Sequence, residues 1–146
     1  MIRVPVEGDI MNGDEAIHDA EVIERILAQI GENVAFTFPA GEGEMQGVLE
    51  DRFAMRGGNG PNPAIRFYDV IDRIVFDGQM ERWMRFGFYR ELPDGHLVFA
   101  AQNTLAAPES EWDDLFKKAW QEKPWFREFI ERLLREFHRQ YGPRAD

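Results

Sequence analysis

The sequence predicts an α+β domain: an N-terminal helix, a mostly antiparallel sheet of about five strands able to curl into a partial barrel, and a C-terminal helical pair. Three observations carry that expectation. Apolar residues recur at spacings of three and four near both ends of the chain and alternate in the middle. The connections between the alternating segments are short, which favours antiparallel pairing over βαβ crossovers. Segment 81–91 is apolar on both sides, as expected of a central strand covered on both faces or rolled into a barrel wall.

Residues 1–11 are mixed and read as a short edge strand. Asn12 or Asp14 then caps a helix whose first turn is acidic, where the helix dipole favours negative charge. Its apolar stripe is Ala16, Ala20, Ile23, Ile26, Leu27 and Ile30, with Asp14, His18, Glu21 and Arg25 on the opposite face. Gly31 is placed to stop it. Val34, Phe36 and Phe38 alternate in a strand over 33–38, and a second strand follows over about 45–55. The Gly/Pro-rich run 57–63 is a connection. From Ile65 the β-pattern resumes, and its apolar phase shifts between Phe67 and Ile74, which predicts a bulge or break near Asp69–Asp72.

Asp77-Gly78 is a hairpin-type turn. Strand 81–91 sets Met84, Phe86 and Phe88 on one face and Trp83, Gly87 and Tyr89 on the other. Pro93-Asp94-Gly95 turns the chain into a returning strand over 96–103. Pro108 and Ser110 open the helical tail, with Trp112, Leu115, Phe116, Ala119 and Trp120 at helical spacing. Pro124 starts a second helix with a stripe of Phe126, Phe129, Ile130, Leu133, Leu134 and Phe137, and Trp125 beside it. At 146 residues, with no internal repeat or clear linker, the chain reads as one domain, 1–146.

Composition narrows the function. The absence of cysteine excludes disulfides, thiolate metal sites and a cysteine nucleophile. Ser110 is the sole serine and sits where a helix cap belongs, so serine hydrolase chemistry is not expected. Glu15 and His18 have the spacing of a helical metal pair, but the motif occurs once and on the charged face, so no metal or other cofactor is expected. No apolar run is long enough to span a bilayer, and no leader-like stretch opens the chain, which reads as cytoplasmic. The net charge of −10 lies wholly in the first third, where residues 1–51 hold twelve acids and two bases. That imbalance argues against nucleic acid as a partner and for a basic protein surface.

Two readings follow. In the first, the protein is a non-enzymatic, acidic interaction module whose Glu15, Asp19, Glu21, Glu24, Glu42 and Glu44 meet a basic partner. In the second, it binds a small molecule, or acts on one, in an aromatic-lined pocket between the sheet and the C-terminal helices. Trp83, Tyr89, Trp112 and Trp120 would line that pocket, and Arg66, Asp69 and Asp72 would supply polar contacts. The aromatic content of 13% also leaves room for a homodimer joined through the C-terminal helices.

Overall fold

The structure is a computed structural model and describes residues 13–142. The expected strand at 1–11 and the Asn12 cap lie outside the described residues. The chain forms two compact units, one up to Pro108 and one from Glu109 onward.

The first unit is α+β. Helix α1 (Gly13–Leu27) leads into β1 (Asn33–Thr37), β2 (Glu44–Arg56), β3 (Arg66–Phe76), β4 (Trp83–Glu91), β5 (Leu97–Phe99) and β6 (Leu105–Pro108). The sheet follows the order β1-β2-β3-β4-β5 with every pair antiparallel, and the short β6 pairs with β4 as well. It curls into a half-barrel. Strand β4 is central, as its two apolar faces require. The expected return strand over 96–103 is cut short: β5 ends at Phe99, and a 3-10 turn over Ala101–Asn103 leads into β6.

Register explains the inner face row by row. Leu49, Ile74 and Trp83 lie side by side across β2, β3 and β4. Next comes a row of charge, Arg52, Asp72 and Arg85, then Ala54, Val70 and Gly87, then Arg56, Tyr68 and Tyr89. Arg66 and Glu91 close the series. The charged row therefore separates two apolar clusters. One is Leu49, Ile74 and Phe76 with Val34, Phe36, Met45 and Trp83 against it. The other joins Ala54, Tyr68, Val70 and Tyr89 to Val22 and Ile26 of α1.

Three local expectations are corrected. Strand β3 runs unbroken past Asp69–Asp72, and the irregularity falls in β2 between Leu49 and Asp51. An extra residue there sharpens the local twist and helps the sheet curl. Helix α1 is rotated from its expected phase: Asp19, Val22 and Ile26 are buried, and Ala16 and Ala20 are exposed. Asp19 can face inward because Tyr68 and Arg56 supply it with donors. For the same reason His18 is no member of a solvated face; it is half-buried against Glu91.

Glycines act where side chains would collide. A Cβ on Gly47 would run into the Val75 carbonyl oxygen and stand 2.9 Å from Phe76 Cα. Helix α1 ends at Leu27, before the expected stop; a turn carries the chain to Gly31, whose φ of 93° suits glycine and whose N–H donates to the Leu49 carbonyl at 2.7 Å, tying this turn to β2.

The second unit is α2 (Glu109–Glu122) and α3 (Pro124–Tyr141). Pro124 sits in the first turn of α3, where its missing N–H is no loss. The Phe116 and Phe126 rings meet at 5.8 Å. Arg127 lies 4.9 Å over the Trp120 ring and donates to the Trp120 and Gln121 carbonyls at 3.0 Å, closing the end of α2. Among the described residues, no helix is long and apolar enough to cross a membrane.

Candidate functional site: an arginine-floored cleft in the half-barrel

Asp72 is the hub of the charged row. It is fully buried and accepts from both neighbouring arginines. Arg52 grips it with two bonds, Nε at 2.6 Å and Nη2 at 3.1 Å, one to each oxygen. Arg85 gives Nε at 3.0 Å and Nη2 at 2.8 Å to Oδ2. The Nη1 of Arg52 is spent on the Ile26 carbonyl, Gln29 and the Tyr89 hydroxyl. Burial alone would lower the Arg52 pKa, and the hydrogen bonds and charge of Asp72, with Tyr89, outweigh it, so the net shift is upward. Tyr89 in turn donates to Gln29 at 2.6 Å.

Two smaller groups lie toward α1. Asp19 accepts from Tyr68 at 2.7 Å and from Arg56 at 3.0 Å. Burial, the bond to Asp19 and the charges of Asp19 and Glu91 raise the Tyr68 pKa, with Arg56 pulling the other way. Glu91 holds His18 Nε2 at 2.8 Å and Arg66 Nη1 at 3.5 Å. Across these three groups, four guanidinium groups face three carboxylates, so among the described residues the inner face carries an excess of positive charge.

That excess borders a cleft. A cavity of about 500 Å³ opens between β1 and the segment from β5 through the 3-10 turn. Phe36, Phe38 and Phe99 form its apolar walls, and Thr37, Gln102 and Thr104 its polar rim. Phe36 and Phe38 meet edge to face at 5.0 Å. Arg85 lies at the floor, its guanidinium 4.7 Å from the Phe99 ring centre. The Arg85 side chain is only 7% exposed, and its Nη1 makes no hydrogen bond among the described residues. Gly87, two residues on in β4, lets the cleft residues Thr104 and Phe99 pack close to the strand, since a Cβ there would stand 3.0 Å from Thr104 Cγ2 and 3.2 Å from the Phe99 ring.

The expected pocket residues are divided. Arg66, Asp72, Trp83 and Tyr89 share the inner face, although Arg66 sits at its far end with Glu91 and His18. Asp69 is three residues from Asp72 on an unbroken strand, so it points to the other face and the two carboxylates do not converge. Trp83 meets Phe76 edge to face at 5.1 Å. Trp112, buried, and Trp120, 41% exposed, belong to the second unit. Of the expected partner-binding acids, Glu21, Glu24, Glu42 and Glu44 are exposed and Glu15 is half-buried. Asp19 stands apart from them, 3% exposed and engaged inside. Among the described residues, no three His, Cys, Asp or Glu side chains gather into a metal-sized group.

Arg52 and Glu91 were not singled out from sequence, and Arg85 was not among the expected pocket residues. For Arg85 a signal existed: it shares the parity of Trp83, Gly87 and Tyr89, and hence the inner face. Comparison with protein families, curated proteins and solved structures finds no match to this chain. The fold and its cleft define the molecule by class alone: an α+β half-barrel whose aromatic cleft is floored by an arginine.

Proposed function

We propose that the first unit binds a small organic anion, with an apolar or aromatic body held between Phe36, Phe38 and Phe99 and its carboxylate on Arg85. One observation carries this reading: a nearly buried guanidinium, fixed by Asp72 through two of its nitrogens and with no bond from the third among the described residues, lines an aromatic cleft. A pre-positioned guanidinium loses little freedom on binding and suits a planar carboxylate. The excess positive charge beside it favours an anion over a neutral or cationic ligand. Apolar walls with few polar groups are the usual make-up of small-molecule sites.

The test is a thermal-shift and NMR titration with a panel of aromatic and aliphatic monocarboxylates, each paired with its neutral amide. Binding of the acids over the amides is expected, with shifts in Phe38, Phe99 and Thr104. Arg85→Lys should weaken it, and Phe38→Ala, which leaves the charged row intact, should weaken it as well. No shift for any acid at millimolar concentration, with the protein folded, would overturn the proposal.

A second reading rests on the exposed acids. Glu21 and Glu24 on α1, and Glu42 and Glu44 beside the β1–β2 turn, are exposed and suit a basic protein surface. Reversing these four charges should slow association with such a partner most at low salt, and leave carboxylate binding in the cleft unchanged.

A further inference from the structure

The second unit carries an apolar face that its own two helices leave open. Successive helical residues turn by ~100°, so Trp125, Phe129, Leu133, Leu134, Phe137 and Tyr141 fall within about half the circumference of α3. All six are between 41% and 77% exposed, and no residue of α3 is buried. Helix α2 meets the first half of α3, with Phe116 and Trp120 close to Phe126, Arg127 and Ile130.

We propose that this face is covered by α3 of a second copy, lying antiparallel across it in a register centred near Leu133. The sequence of α3 is self-complementary about that point. Antiparallel pairing sets Trp125 against the second copy's Tyr141, Phe129 against its Phe137, and Leu133 against its own equivalent. The charged border offers one opposite-charge pair close to that register. Arg132 comes within two positions of the second copy's Glu136, an opposite-charge pair formed twice by the two-fold symmetry. A parallel pair would instead set each charge beside its like. The size is adequate. Six half-exposed and mostly aromatic side chains offer ~100 Å² each. Two copies would bury about 1,200 Å², the lower edge of the range for stable complexes.

The test is sedimentation equilibrium of the full chain across the micromolar range. A monomer–dimer equilibrium is expected. Phe137→Glu, a change at an exposed position that should leave the circular dichroism and melting temperature of the dilute protein unaltered, should abolish it. Glu136→Arg and Arg132→Glu should each weaken self-association by about tenfold, because each places like charges opposite one another. An equimolar mixture of those two variants should dimerise again, since every cross-copy pair becomes opposite in charge. A monomer up to millimolar concentration, a dimer indifferent to Phe137→Glu, or a mixture no stronger than its separate components would each overturn the proposal.

Discussion

The inner face of the sheet and the stripe of α3 reverse the usual placement of residues. The sheet buries Arg52, Asp72, Arg85, Asp19 and Glu91, each 6% exposed or less. Helix α3 leaves phenylalanines and leucines in water. What differs is the supply of partners. Each buried charge meets an opposite charge, brought to it by strand register or, for Asp19, by the packing of α1 on the sheet, whereas within its own unit α3 has one helix to pack against and a stripe too wide for it. Burial is thus decided by what another element offers, not by residue type alone.

The largest effect should come from breaking the charged row. Asp72→Ala leaves two guanidinium groups buried without their carboxylate, which is expected to cost ~3–5 kcal/mol in urea unfolding at neutral pH. Replacing the row together, with Arg52→Met, Asp72→Leu and Arg85→Met, should restore most of that stability and abolish anion binding in the cleft. A triple variant less stable than the single one would show that the row does more for the fold than satisfy itself.

Next is the seam between α1 and the sheet. Ile26 is fully buried among Val22, Ala54 and Tyr89, and Ile26→Ala should cost ~2–5 kcal/mol. Tyr68→Phe removes one bond to the buried Asp19 and should cost ~1–3 kcal/mol. Its pH dependence carries a further signature. The folded state holds the Tyr68 proton more tightly than the unfolded chain does. That contribution is fully present below the ordinary tyrosine pKa of ~10 and is lost as pH rises through the higher folded value. Urea midpoints of the parent should therefore fall above about pH 10, and those of Tyr68→Phe should fall less.

The same contrast explains what could be read from the sequence. Periodicity marks the stripes of α3 and the alternation of β4 directly, because those elements follow residue type. It misplaces the first turns of α1, since Asp19 and His18 look like surface residues until β3 and β4 present Tyr68 and Glu91 to them. It misplaces the bulge too: an inward Asp72 among apolar residues looks like a break in β3, whereas the register slips at Glu50, where no apolar residue marks it. The cleft was hidden for a related reason, because its walls come from β1 and β5, 60 residues apart, and only the curl of the sheet brings them together.

The smallest expected effect sharpens the comparison most. Leu134 is 50% exposed on α3, and Ile26 is fully buried. Leu134→Gln should change the unfolding free energy of the dilute protein by no more than about 0.5 kcal/mol, as for other surface positions. It should still weaken self-association, because its place on α3 borders the proposed seam. Stability and association would then separate cleanly: Ile26→Ala should lower the first and spare the second, and Leu134→Gln should do the reverse. If Leu134→Gln instead destabilised the dilute chain as much as Ile26→Ala does, α3 would have a partner within its own chain, and the contrast between a satisfied sheet and an unsatisfied helix would fail.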